Sequence, residues 1–408
     1  MKSTRNAEWA LLFAVLLDMI GFTMLIPDIQ LRAEQMLGTF PYKGPVIGIL
    51  LQSTFLVQLL VSPKWGKWAD STGRKRVFLF CQFFSAVAML LYGLSTAVLL
   101  LFASRIVAGF GAANVSTAQA IASSLGDEKY RTKALGRISA ALSAGMIVGP
   151  AVGGFAAHAG DSALVGFVGA GISALGGLVV WMFVPGDQQD LAAQKDASAP
   201  SKKKWLDFSL FAKYPEVKPF FWITAAGSFA LGTLEGTFGR LIKAMLGFDA
   251  KQFGIIFSYE AVLGVLMGGL LLGWISKRLC ETTLLRWGYV LQGVGLGLNP
   301  LAGWLSSFAP GLIWLFVAST FYGIGAGAIG PTLASLSSSA VAEDVRGEMF
   351  GMLQSARTAG FLTGPLTGGL MFDFWHPLPY LFAMLVCFSV ALFLPVICKC
   401  HPIKSSSL

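Results

Sequence analysis

The sequence has little charge and none of the common motifs of enzyme active sites. Only 12% of its 408 residues are Asp, Glu, Lys or Arg, about half the fraction found in soluble domains. The three histidines are far apart, and no Gly-x-Ser-x-Gly, phosphate-binding Gly-Lys-Ser/Thr loop or His-Glu-x-x-His motif occurs. We therefore expect no catalytic site, no metal site and no bound cofactor.

Apolar residues dominate instead, at 55% of the chain, and glycine occurs 48 times. A helix needs about 20 apolar residues to cross a bilayer. Twelve stretches meet that length and predict an all-α integral membrane protein with twelve transmembrane helices. They are residues 8–29, 45–63, 77–95, 97–118, 134–157, 163–184, 219–242, 253–275, 284–305, 309–332, 348–370 and 377–397.

The net charge of +9 is concentrated in one set of loops. The opposite short loops, near 92–99, 156–164, 302–312 and 371–380, contain no Lys or Arg. Basic loops mark the cytoplasmic side of a membrane protein, so both termini are expected there, and a nucleic-acid partner is not expected. The basic loop residues are Lys64, Lys67, Arg74, Lys75, Arg76, Lys129, Arg131, Lys133, Lys202, Lys203, Lys204, Lys277, Arg278 and Arg346.

One pattern occurs twice, 215 residues apart. Arg131, Gly136, Gly145, Gly149-Pro150 and Gly153-Gly154 match Arg346, Gly351, Gly360, Gly364-Pro365 and Gly368-Gly369. Duplicated, helix-rich, apolar chains are typical of secondary transporters. We predict two pseudo-symmetric six-helix bundles, at 1–185 and 219–398, a polar cytoplasmic linker at 186–218 and a cytoplasmic tail at 399–408.

Four segments resemble motifs of the major facilitator superfamily, and within it the twelve-helix drug:proton antiporters. They are the loop Gly66-Lys-Trp-Ala-Asp70-Ser-Thr-Gly73-Arg74, the helix 4 residues Arg105, Gly109 and Gly111, the helix 5 run Gly145 to Gly154, and the helix 1 run Asp18 to Pro27. In the loop, Ser71 replaces the arginine that the family usually has after the aspartate.

Asp18 is the first candidate for chemistry, because an ionisable group inside a membrane span is expensive unless it is paired or hydrated. Burial opposes ionisation of a carboxyl and a nearby cation favours it, so a balanced carboxyl can load and release protons. The resemblance implies the same role, with Arg105 linked to proton transfer. Asp18 is also a candidate ion-pair partner of Arg105, and a purely structural role is the alternative for both.

Glu235 and Arg240 on helix 7 and Glu260 on helix 8 have no motif that explains them. Each acid is a candidate substrate anchor, a second proton site or half of a structural pair, and Arg240 is near enough to a helix end to reach the interface. Aromatic residues near the proposed acids are candidates for an apolar substrate pocket. These are Phe22, Phe238, Phe257 and Tyr259.

The remaining motif residues are expected to serve conformational change. By resemblance, Gly66, Asp70 and Arg74 form a gate contact at the loop after helix 2. The glycines and prolines of the repeat bend helices 5 and 11 or let them pack closely. This second group comprises Gly145, Gly149, Pro150, Gly153, Gly364 and Pro365.

Together these features predict a proton-coupled exporter of small amphipathic or hydrophobic compounds. It would act as a monomer in a bacterial inner or plasma membrane, with the proton as coupling ion. Three alternatives use the same fold: a lysolipid or glycolipid flippase, another metabolite exporter, or a facilitator independent of any gradient. A receptor or scaffold without transport is disfavoured, since little of the chain lies outside the predicted spans.

Overall fold

The computed structural model describes residues 2–124, 128–159, 161–185, 217–341 and 345–397. Within these ranges the regular structure is helical, as an apolar chain in a bilayer requires. Residues 186–216 of the predicted linker and the predicted tail 399–408 lie outside the described residues.

The first half contains α1 to α8, and the second contains α9 to α15. The first eight are Lys2–Thr23, Ile26–Leu37, Lys43–Thr72, Arg74–Gly93, Val98–Gly111, Asn114–Ser124, Glu128–Ala159 and Ser162–Phe183. The others are Lys218–Leu246, Ala250–Leu266, Leu272–Ile275, Glu281–Leu305, Gly311–Ser339, Arg346–Phe374 and Leu378–Ile397, with a π-helical segment Met267–Leu271 between α10 and α11.

Each of the twelve predicted spans falls on one of these helices or on a consecutive group of them. Among the described residues, eight helical segments are long and apolar enough to cross a membrane. Helix ends differ from the predicted ends where polar residues continue a helix, as in α3, which runs to Thr72. The first span is interrupted at Met24 and Leu25, and α2 then begins with Pro27 in its first turn.

The described residues divide into two compact units. The first unit contains those of Met1–Pro41, Ile49–Ser201 and Phe248–Ser258, and the second contains those of Tyr42–Gly48, Lys202–Gly247 and Tyr259–Leu408. The first turns of α3 thus pack with the second unit, and the first turns of α10 pack with the first unit.

The two units repeat the same packing of helices. In the first unit α1 packs on α7, and α4 packs on α5 and α8. In the second unit α9 packs on α14, and α12 packs on α13 and α15. Buried apolar side chains join α1, α4, α6, α7 and α8 in the first unit, among them Leu11, Phe78, Ile121, Ile138 and Val180.

Candidate proton and substrate site

The first unit contains a cavity of about 200 Å³ that Asp18 lines. Its walls come from α1, α3, α4, α5, α6 and α8, so it lies among the helices of one bundle. Of the candidate site residues that the sequence offered, Asp18, Phe22 and Arg105 line it. Polar groups at its wall include Asp18, Thr54, Gln58, Ser85, Arg105, Asn114 and Ser173.

Asn114 is the residue that holds the Asp18 carboxyl. Its Nδ2 donates to Asp18 Oδ1 at 2.7 Å and to Gln82 Oε1 at 3.0 Å, and it lies 3.4 Å from Ser85 Oγ. Asn114 begins α6, immediately after the turn that separates it from α5. A neutral amide donor can hydrogen-bond the carboxylate without neutralising its charge, so the group remains able to bind a proton.

Arg105 lines the same cavity and is buried, with 5% of its surface exposed. Its Nε donates to Ser104 Oγ at 3.4 Å, and its guanidinium carbon lies 5.5 Å from the centre of the Tyr92 ring. One of its two terminal nitrogens, Nη2, is buried without a hydrogen-bond partner among the described residues. Among the described residues no ion pair joins it to Asp18, so the candidate pairing is not formed in this structure.

A second acidic cluster lies in the second unit. Glu260 on α10 is buried and accepts a hydrogen bond from Ser319 Oγ at 2.7 Å. The neighbouring Tyr259 hydroxyl is 2.9 Å from Thr320 Oγ1, and its ring packs edge-on against Phe316. Glu235 on α9 lies within electrostatic range of Glu260. The two carboxyls therefore interact among α9, α10 and α13, and a hydroxyl of α13 holds one of them.

The candidate aromatic residues have different surroundings. Phe22 is 40% exposed, lines the Asp18 cavity and packs edge-on against Phe55. Phe257 is buried against Phe253, with ring centres 4.6 Å apart. Phe238 is completely buried on α9. Of these three, only Phe22 lies at the Asp18 cavity.

The glycines of the first motif pack α7 against the helix that carries Asp18. A Cβ on Gly145 would lie 2.6 Å from Met19 Cβ, and one on Gly149 would lie 2.9 Å from Ile20 O. At Gly153 it would lie 2.7 Å from Met24 Cα. The spacing of four residues keeps these glycines on one face of α7, where α1 approaches at backbone distance.

Pro150 interrupts the hydrogen bonds of α7 beside this face, and Ser258 Oγ accepts the N–H of Ala151 at 3.0 Å. The α10 start lies against the same turn, since a Cβ on Gly154 would lie 3.2 Å from Gly254 Cα. Proline at an interior helix position removes one donor and forces a local adjustment.

The second copy of the motif repeats this arrangement in the second unit. A Cβ on Gly364 would lie 2.6 Å from Phe229 O, and Pro365 fills the space above Gly232 and Gly236 of α9. Glu235 lies between those two glycines in the sequence. Both copies of the motif therefore pack against the helix that carries a candidate acid.

Arg240 is buried and ion-paired rather than extended towards the interface. Its Nη2 is 2.7 Å from Asp373 Oδ1, and its guanidinium carbon is 4.5 Å from the centre of the Phe372 ring. The other Asp373 oxygen, Oδ2, accepts the backbone N–H of Gly44 at 2.7 Å. Asp373 thus joins the end of α14, the end of α9 and the first turn of α3.

A related contact joins the end of α7 to the start of α10. His158, which corresponds to Asp373 in the repeat, is 2.7 Å from Asp249 Oδ2. Asp249 Oδ1 also accepts the N–H of Lys251 and caps α10 at 2.9 Å. The sequence motifs did not predict either aspartate, because Asp373 lies at the end of α14 and Asp249 just before α10, both outside the recognised motifs.

The loop motif after α3 is built around Gly73, whose φ of 104° is unfavourable for any residue with a side chain. Arg74 Nη1 donates to Ala120 O at 2.7 Å and Lys75 Nζ donates to Trp181 O at 2.9 Å. A Cβ on Gly66 would meet no atom within 4 Å. The side chain of Asp70 lies outside the described set, so the proposed gate contact stays a prediction.

These observations define a class of protein: a helical membrane protein of repeated halves, with ionisable groups around a cavity inside a bundle. The family model of the Major Facilitator Superfamily matches residues 11–309 and 241–405. The chain belongs to the Major Facilitator Superfamily, whose members are transporters rather than enzymes.

Curated relatives match almost the whole chain. Multidrug resistance protein 2 of Bacillus subtilis is 27% identical over 393 residues, which are 94% of each chain. Tetracycline resistance protein, class D, of Salmonella ordonez is 26% identical over 366 residues, 89% of this chain and 88% of the relative. The crystal structure of the nucleoside transporter NupG covers 96% of this chain and 100% of its own, with a TM-score of 0.71 and 16% identity, and supports the fold.

Proposed function

We propose that this protein is a proton-coupled exporter of small amphipathic compounds. The observation that carries the proposal is the Asp18 carboxyl in a cavity inside the first bundle, held by a neutral amide and with no ion-pair partner in the part of the chain that the structure describes. Relatives named for multidrug and tetracycline resistance support export as the direction and drug-like compounds as the cargo.

The cavity supplies what a proton carrier requires. Asp18 in its ionised form accepts the hydrogen bond of Asn114, and in its neutral form it gains one hydroxyl donor and keeps an acceptor oxygen. Arg105 contributes a permanent positive charge to the same cavity. A substrate that binds more tightly while Asp18 is ionised displaces the proton from this carboxyl, and this linkage couples the two fluxes.

The driving force is adequate for uphill export. One proton entering in exchange for an uncharged compound releases about 2.3 kcal/mol across a potential of about 100 mV, whereas its exchange for a monovalent cation moves no net charge and gains nothing from the potential. A pH difference of one unit adds about 1.4 kcal/mol for each proton. The Glu235 and Glu260 cluster of the second unit is the proposed anchor for cationic groups of the cargo. The protein would work as a monomer in a bacterial plasma membrane with both termini in the cytoplasm.

The test is transport in proteoliposomes with an imposed pH gradient. Tetracycline and ethidium, a lipophilic cation, serve as probes for the wild type and for Asp18→Asn. The asparagine keeps the size and the acceptor but binds no proton in the physiological range, so gradient-driven accumulation should disappear while exchange of substrate for substrate persists.

Asp161→Asn is the matched control, because Asp161 is exposed at the α8 start and makes no side-chain capping bond. It should transport like the wild type. Accumulation that survives in Asp18→Asn would overturn the coupling role of Asp18. Equilibration without accumulation in the wild type would instead identify a facilitator.

A further inference from the structure

An apolar groove on the outer face of the second unit lies apart from both acidic clusters. It has a volume of about 750 Å³, within the range of ligand-binding clefts. The first turns of α9 and most of α15 form its walls. Its lining residues are apolar except for Lys218 and Ser389.

We propose that this groove binds one acyl chain of an anionic phospholipid, with Lys218 contacting the phosphate. The proposal concerns a lipid of the cytoplasmic leaflet, and it uses the topology proposed above, in which α9 begins on the cytoplasmic side. It does not depend on proton coupling or on the identity of the cargo.

The length of the groove fits one leaflet. Along α9 the lining runs from Lys218 to Ala226, about 12 Å at 1.5 Å per residue, and along α15 from Phe382 to Phe393, about 17 Å. Half of a hydrocarbon core of about 30 Å is about 15 Å. The groove therefore has the depth that a single acyl chain occupies.

The orientation of the groove also fits a lipid. Phe382 packs edge-on against Phe229, so this end of α15 lies near the end of the groove remote from Lys218. α15 packs along α9, and Phe382 and Phe393 are the two ends of its lining part. Because Phe382 is remote from Lys218, Phe393 lies towards the Lys218 end. Lys218 is the cation at one end of an otherwise apolar groove. This arrangement is complementary to an anionic lipid, which has a negative charge at one end of its apolar chains.

Residues at the cationic end have the character of a membrane interface. Lys218 is exposed, and Trp222, one turn further along α9, is 69% exposed. Tryptophan and lysine are both typical of the headgroup level, where an aromatic ring meets the boundary and an ammonium group reaches phosphate. Phe393 and Leu385 are exposed along the rest of the groove and offer surface to an alkyl chain.

Native mass spectrometry of the full chain, released from detergent with phosphatidylglycerol or phosphatidylethanolamine added, tests the proposal. One cation near a bilayer surface contributes about 1 kcal/mol, so Lys218→Ala should lower the affinity for phosphatidylglycerol about fivefold. Phosphatidylethanolamine should bind weakly to the wild type and to Lys218→Ala. Ser389→Trp, which fills the groove, should remove the bound phosphatidylglycerol in the presence of Lys218.

Two matched controls separate the groove from general effects. Lys243→Ala removes an exposed lysine from the other end of α9, and Ile313→Trp adds a tryptophan at an exposed position of α13. Both should bind phosphatidylglycerol like the wild type. The proposal is overturned if Lys218→Ala and Ser389→Trp bind the lipid like the wild type, or if Ser389→Trp abolishes a dimer or tetracycline binding and leaves lipid binding intact.

Discussion

Replacement of Gly149 by alanine should separate α1 from α7 and so disturb the helix that carries Asp18. The added methyl group would collide with Thr23 Oγ1 and lie 2.9 Å from Ile20 O. A hydroxyl can rotate away, but a backbone carbonyl moves only with its helix. Overpacking of this kind costs about 1–3 kcal/mol. We therefore expect Gly149→Ala to lower the thermal stability of the purified protein and to reduce transport.

Gly136→Ala is the control on the same helix. It belongs to the same sequence motif, but a Cβ there would meet no atom within 4 Å. Alanine is about 1 kcal/mol better than glycine in a helix interior, so this variant should be as stable as the wild type or more stable. Thermal unfolding in detergent, followed by tryptophan fluorescence, ranks the three proteins. Equal stability of the two variants would refute the argument that close α1–α7 packing explains the motif glycine.

Two further predictions concern buried ion pairs and helix ends. Asp373→Ala should destabilise the protein by about 3 kcal/mol because Arg240 is buried, whereas Asp249→Ala, whose pair with His158 is half-exposed, should cost about 1 kcal/mol. Similar losses of thermal stability in Asp373→Ala and Asp249→Ala would contradict the argument that burial of the ion pair sets the cost. Arg32 donates to the carbonyls of Tyr92, Gly93, Ser95 and Ser162, so Arg32→Ala should cost about 3 kcal/mol or more. The exposed Arg278 is its control, and a loss of stability in Arg278→Ala as large as that in Arg32→Ala would argue against this role.

The composition and the length of the apolar stretches are enough to predict the helices. Each of the twelve predicted spans lies on a helical segment, because a chain of this hydropathy has few alternatives in a bilayer. Helix ends were less predictable. The apolar part of α3 ends at Lys64 and Lys67, but the helix continues to Thr72. Within the first predicted span, a new helix begins with Pro27 in its first turn.

The motifs predicted that Asp18 and Arg105 matter, but not how they are held. Asn114, Gln82 and Ser85 come from α6 and α4, and no sequence pattern links them to α1. The sequence does not indicate a role for Asp373 for a similar reason, since its partners Arg240 and Gly44 are more than 130 residues away in the chain. Tertiary packing creates both arrangements, whereas the repeat of Gly149-Pro150 and Gly364-Pro365 was visible because it lies within one helix of each half.

Proton release upon substrate binding is a direct test of proton exchange at Asp18. Ethidium is added to the purified protein in weakly buffered solution, and the pH change is followed with an indicator dye. We expect the wild type to release a proton from Asp18 as the cation binds, and Asp18→Asn, at equal ethidium occupancy, to release none from this site. The same release from both proteins would contradict the assignment of Asp18 as the group that exchanges protons.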